Sequence, residues 1–254
     1  MSTRFYLTLA ALAALGLAAA HPAAAQTTIY NFEVQGGGGG GGSTALYNGT
    51  GALAGAGTTW NVINTPVANA LDSNGGASTV GFTADIPGTY TSPNNYVTND
   101  PQELLSNFAY TSGGGLRNIS ITGLGANSSF VLDLYGINGN YASTNTIFRI
   151  TASDHTTVLQ TKTATANRDD IFVEGDNYVQ FTGTADSAGS LYATFQTGGR
   201  DANEGDFNGA QIAVTPNASA APEPAQTASL GLTAFALFGV ILKAAKRKTV
   251  TAAV

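Results

Sequence analysis

The chain has no cysteine, which excludes disulfides, thiolate metal sites and a cysteine nucleophile together. Histidine is almost as scarce: His21 lies in the N-terminal apolar segment, and His155 follows Asp154 in a stretch that reads as a hairpin tip. One imidazole without cysteine cannot assemble a usual zinc site, and a turn histidine is a surface residue before it is the relay of a Ser-His-Asp triad. Bases are few. Between residues 26 and 215 fifteen acids outweigh Arg117, Arg149, Lys162, Arg168 and Arg200, a net of −10 that the whole-chain value of −6 conceals. Such a field repels phosphate backbones, so nucleic acid is not an expected partner.

What the sequence does have begins with its two ends. Arg4 precedes an apolar run from Phe5 to Ala20, followed by His21-Pro22-Ala23-Ala24-Ala25-Gln26. That is the n-region, h-region and small-residue cleavage site of a secretion signal, residues 1–25, cut after Ala25. The run is shorter than a bilayer span and ends in a helix-breaking proline. At the other end, a linker over 216–227 carries Pro222-Glu223-Pro224, an apolar stretch follows from Ala228 to Leu242, and Lys243, Lys246, Arg247 and Lys248 close it within a tail reaching residue 254. The prolines keep the chain extended, the apolar stretch enters lipid as a single transmembrane helix, and the cations stay on the cytoplasmic side with their stems snorkelling. An ordinary single-pass anchor would place the domain on the same side of the membrane.

In that order of parts, over about the last 33 residues, the tail resembles the PEP-CTERM sorting signal. The resemblance implies recognition by the export machinery and cleavage by an exosortase, and hence a protein displayed at the cell surface or released outside. This tail departs from the family in using Lys more than Arg and in continuing through Thr249–Val254.

Residues 26–215 amount to one domain. They are rich in Gly, Thr, Asn, Ser and Ala with singly spaced Tyr and Phe, the composition of β-structure with many turns. Strands are predicted over 28–34, 58–63, 78–83, 116–123, 129–137, 146–152, 157–163, 171–180, 189–197 and 209–214. The segment Phe130-Val131-Leu132-Asp133-Leu134-Tyr135 alternates as a half-buried antiparallel strand does. A helix is predicted over Pro101–Ala109, with Asp100 as N-cap and Pro101 in its first turn. The fold class is therefore all-β, an antiparallel β-sandwich with a two-sheet jelly roll as the leading version. The run Gly36–Gly42 lacks the Gly-Lys-Ser/Thr and the following helix of a phosphate-binding loop, so 36–57 reads as a flexible Gly-rich loop.

From Trp60 to Val214 the domain also resembles the galactose-binding-like jelly-roll domains of exported bacterial proteins. Ile119–Leu124, Phe130–Gly136, Phe172–Val179 and Phe207–Ile212 carry the likeness. It implies a sandwich of a kind whose members bind sugars, cell-surface polymers or no known ligand, and it identifies no binding residue.

Sugar binding needs aromatic faces beside amides, and two loops supply them: Tyr90, Asn95 and Tyr96 in one, Tyr135, Asn138, Asn140 and Tyr141 in the other. Trp60, in a strand-like context, reads as core. Asp201, Asn203, Glu204 and Asp206 concentrate the hard oxygen donors that a structural Ca²⁺ takes, though the twelfth position from Asp201 is Ile212 and not the Glu of an EF-hand. Asp169, Asp170, Glu174 and Asp176 form a second acidic group. No catalytic residue is assigned, and no cofactor beyond that Ca²⁺. Three functions stay open: a non-catalytic module for extracellular polysaccharide, a structural or adhesive matrix protein, and a glycan-active enzyme, which would need two facing carboxylates.

Overall fold

Phe130, Leu132 and Leu134 on one side of a strand, with Asp133 and Tyr135 on the other, set the plan of the molecule. The computed structural model describes residues 25–37, 45–92, 102–111, 113–138, 145–165, 171–198 and 204–217. These fall within a compact unit over Ala25–Asn217. Its elements are β1 (Thr28–Glu33), β2 (Asn61–Val62), β3 (Gly81–Ala84), β4 (Thr89–Thr91), α1 (Gln102–Ser106), β5 (Asn107–Thr111), β6 (Arg117–Thr122), β7 (Ser129–Tyr135), β8 (Thr146–Thr151), β9 (Val158–Ala164), β10 (Tyr178–Thr184), β11 (Leu191–Thr197), β12 (Gly205–Phe207) and β13 (Gly209–Thr215).

A first sheet runs β10-β7-β13-β1-β2 and a second β3-β6-β11-β8-β9, so the domain is an all-β sandwich, antiparallel except where β1 meets β2. The register puts Leu132 beside Phe181 on one side and Ile212 on the other, so the inward side chains of the first sheet form continuous apolar rows. The second sheet answers with Phe82, Ile119, Ile121, Phe148, Ile150, Ala193 and Phe195. Phe207 ties the rings together, 6.4 Å from Phe82, 6.3 Å from Phe148 and 5.2 Å from Phe195. Burying each such ring contributes about 1.5–3 kcal/mol.

The outer face of the first sheet is covered as well. A second cluster of Tyr47, Trp60, Leu104, Leu105, Tyr135 and Ile137 lies over it, confirming Trp60 as a core residue. Residues 45–57, expected to be loose, are instead held down. Gln211 accepts from Leu53 N at 3.0 Å and donates to Thr50 O at 2.8 Å, while Ala52 N donates to the Tyr135 hydroxyl at 2.9 Å. Gly51 sits at φ +71° so close to Gln211 that a Cβ would overlap its amide, which requires glycine there. Residues 38–44 of the predicted loop lie outside the described residues.

A third, small sheet, β12-β5-β4, was not expected. It overturns the helix through Ala109: α1 stops at Ser106 and the chain enters β5 directly. The strand predicted over 171–180 is also shorter, because Gly175 at φ +89° makes a turn bridged by Glu174 and Tyr178 before β10 begins. Among the described residues no helix is long and apolar enough to cross a membrane. The signal peptide, the Pro222-Glu223-Pro224 motif and the tail with Lys243, Lys246, Arg247 and Lys248 lie outside the described residues.

Candidate functional site

Strand alternation aims a second set of side chains away from the core, and on the outer face of the second sheet these form a pocket. Cross-strand partners share a face. Tyr192, Thr194 and Gln196 of β11 therefore stand beside Thr151, Arg149 and Ile147 of β8, and Ser120 and Asn118 of β6 flank Tyr192 and Thr194 on the other side. In β9, Thr161 and Val158 extend the rows of Arg149 and Thr151, across a bulge that lets the strand turn. Arg149 is the one charged side chain that these β6, β8, β9 and β11 rows present on this face.

The pocket, about 360 Å³, is lined by Leu116, Arg149, Thr151, His155, Thr156, Val158, Thr194 and Gln196. Thr194 is fully buried and Thr151 is 3% exposed, and among the described residues the hydroxyl of each lacks a hydrogen-bond partner. A buried hydroxyl left unpaired costs about 1–3 kcal/mol. Both residues lie in the pocket floor. Arg149 makes no ion pair or hydrogen bond among the described residues. Lys162, by contrast, donates to Glu174 at 2.8 Å and holds that carboxyl below its usual range.

His155 closes one wall. Asp154 Oδ1 accepts from Thr156 N and Thr157 N, both at 2.8 Å, and Oδ2 from the Thr157 hydroxyl at 2.6 Å. Those bonds hold the Asp154 carboxyl well below the usual carboxylate range. They also fix a turn in which His155 adopts φ +55°. Such a backbone costs a non-glycine residue about 1–3 kcal/mol, and strain of this kind gathers at functional sites. Its result is to swing the imidazole inward. Nε2 lies 3.4 Å from Ser120 Oγ, the ring stands edge-on to Tyr192 at 5.3 Å, and Nδ1 is buried without a hydrogen-bond partner among the described residues. The turn position matches the sequence reading, whereas the inward aim does not follow from it.

The residues that composition had singled out fare differently. Tyr135 is fully buried, its hydroxyl donating to Gln211 Oε1 and pushed well above its usual pKa by desolvation, so it offers no stacking face to a sugar. Asn138 is 2% exposed and its amide bonds the Glu204 carboxyl, whose pKa burial raises. Tyr90 is half-buried against Phe108 at 5.8 Å. Asp206 is fully buried in β12, where its backbone N donates to the Thr146 hydroxyl at 2.8 Å and its backbone O accepts from that hydroxyl at 3.0 Å. Asn95, Tyr96, Asn140, Tyr141, Asp201 and Asn203 lie outside the described residues. Among those described, no three His, Cys, Asp or Glu side chains gather as a metal-holding group.

Two buried acids lie elsewhere, on the outer face of the first sheet. Desolvation pushes Glu33 and Asp133 each up to about 7, against hydrogen bonds from Tyr47 N and Gln180 Nε2 that favour the charged form. One oxygen of each, Glu33 Oε1 and Asp133 Oδ2, has no hydrogen-bond partner among the described residues.

No family model and no curated protein matches the chain. Among solved structures it is similar to the K1 cleaved adhesin domain of Lys-gingipain from Porphyromonas gingivalis W83, at 17% identity over 52% of this chain and 89% of that one, with a TM-score of 0.31. The plant receptor-like kinase ANX2 is 12% identical over 56% of this chain and 43% of that one, TM-score 0.37. An isomalto-dextranase of Arthrobacter globiformis T6, complexed with panose, is 12% identical over 54% and 21%, TM-score 0.27.

Proposed function

We propose that this chain is an exported cell-surface or extracellular-matrix protein whose β-sandwich, of jelly-roll type, binds carbohydrate polymer without catalysis through the pocket over Arg149, Thr151 and Thr194. The lining supports the reading. Hydroxyls, an amide, an imidazole and a guanidinium meet the hydrogen-bonding groups of a saccharide, and Leu116, Val158 and the neighbouring Tyr192 meet its apolar face. No carboxylate stands among the described lining residues, whereas glycoside hydrolysis works through a pair of them. The signal over 1–25 and the sorting tail over 216–254 would deliver the domain to the polymer, with an exosortase as the processing partner.

Retention of the full chain, in mild detergent, on a panel of immobilised polysaccharides tests this. Thr194→Val replaces a buried, unpaired hydroxyl by a methyl of the same shape, which is close to neutral for stability. With Tyr192→Ala it should weaken retention about tenfold while the Thr194→Val melting temperature stays put. Retention on no polymer, or retention indifferent to both changes, removes the pocket from the function. A structural or adhesive role is the second reading. The β9 edge favours it, with Val158 at 49% and Leu159 at 63% exposure offering a lateral contact.

A further inference from the structure

Arg149 says more about the ligand than the rest of the pocket does. Fifteen acids populate residues 26–215, yet none among the described residues pairs with this guanidinium, and the acid nearest in sequence, Asp154, has both oxygens committed to its own turn. The other described bases sit elsewhere. Lys162 is taken by Glu174 and lies against Phe181 at 5.8 Å, and Arg117 is placed opposite Phe195, on the inward side of β6. Arg117 too makes no ion pair among the described residues, its Nε buried without a partner there, so what sets Arg149 apart is its place as the one described cation lining the pocket.

Resting on the reading that this pocket binds polymer, we infer that its ligand is an acidic sugar, a hexuronate residue whose carboxylate docks on Arg149. A guanidinium presents a planar fork of donors that matches one carboxylate in two parallel hydrogen bonds. A phosphate monoester, with up to two charges, draws several cations or a run of backbone N–H groups, which this face of paired strands does not supply, and a sulfate ester, singly charged like a carboxylate, spreads that charge over three tetrahedral oxygens instead of the planar pair that the fork matches. Around the fork the remaining groups are neutral. Thr194 stands across the strand from Arg149, roughly 5 Å away, and Thr151 two residues along β8, roughly 7 Å away, a spacing suited to the hydroxyls of one pyranose ring. Gln196 and His155 Nδ1 add further hydrogen-bonding capacity at the margins, and Leu116 and Val158 border the ring on its apolar side. The acidic surface of the domain does not prevent this, because at physiological salt charges more than about 8 Å off are largely screened.

The experiment measures binding of the full chain, in mild detergent, to a tetragalacturonate, its methyl ester, a neutral galactose tetramer and a pentaglutamate peptide. The acid should bind at least about tenfold more tightly than the ester, since losing a charge-assisted pair costs more than an ordinary hydrogen bond. Arg149→Gln should remove that preference without abolishing weak binding of the neutral sugar, and Arg149→Lys should restore part of it. Lys162→Gln, which removes the same net charge away from the pocket, should change nothing. Equal binding of acid and ester, or an acid preference that survives in Arg149→Gln, overturns the inference while leaving polymer binding intact. Pentaglutamate binding as well as the uronate overturns it in favour of an acidic peptide. Absence of binding to every probe overturns both the inference and the function it rests on. Melting temperatures of the variants within a few degrees of the parent show that lost binding is not lost folding.

Discussion

Asp133 shows what one residue can do to the whole stability curve. It stands in a cross-strand row with Asn31, Gln211 and Gln180, accepts from Gln180 Nε2 at 3.0 Å, and leaves its second oxygen buried without a hydrogen-bond partner among the described residues. Burial raises its pKa to about 7, so the folded state binds a proton that the unfolded chain has released. The sign follows from linkage: stability is fully present below about pH 4, declines as pH rises toward 7, and is flat above it. Asp133→Asn keeps an acceptor for Gln180 and cannot ionise, so the difference between parent and variant should change across that window by about 3 kcal/mol. Urea unfolding at pH 4.5, 6 and 8 measures it. A difference independent of pH would mean that Asp133 is already charged in the fold, and Glu33, raised in the same way, would be the next group to examine.

At the scale of elements, the segment over 45–60 is a strap whose attachment depends on Gln211. That side chain joins four partners: it accepts from Leu53 N and the Tyr135 hydroxyl and donates to Thr50 O and Asn31 Oδ1. Gln211→Ala strands several of these in a buried site, for a loss of about 2–4 kcal/mol, and should open 45–57 to limited proteolysis before the sandwich itself unfolds. Cleavage first elsewhere would show that the strap is held by its apolar contacts, Tyr47 on Trp60 at 5.0 Å among them. Nothing local in the sequence announces such a strap. Its partners come from β1, β7 and β13, far away in the chain, and Gly36–Gly42 draws attention to a loose loop instead. The long strands were legible because alternation over six or seven residues is unambiguous, as in β7 and β11. The three-residue strands β4 and β12 carry too little pattern, and the spacing of Leu104 and Leu105 in α1 with Phe108 in β5 continues a helical pattern past the helix's end. The pocket was invisible for a related reason: Arg149, Thr151 and Thr194 read simply as the polar side of two strands, and only their pairing places an unpaired cation over two buried hydroxyls.

For the molecule as a whole, the distribution of charge bears on its route. Fifteen acids and five bases mark the central domain, and four cations with one acid mark the chain after residue 215. On the proposed route, translocation would leave the clustered Lys and Arg beside the apolar stretch on the cytoplasmic side, while the acidic, cysteine-free domain would cross and fold without an oxidising step. If the chain is exported and sorted as proposed, the mature protein would begin at Gln26 and end near Pro222-Glu223-Pro224. Fractionation of the native host with mass spectrometry of both termini reads this directly. Recovery of an intact Val254 in the inner membrane would establish a permanent anchor, and recovery of Met1 would remove the secretion signal. Replacing Lys243, Lys246, Arg247 and Lys248 together by Gln separates the roles of apolar length and charge. If the cations stop transfer, the variant should lose the sorted form and accumulate with both termini across the membrane. If the apolar stretch alone is sufficient, its distribution should match the parent's.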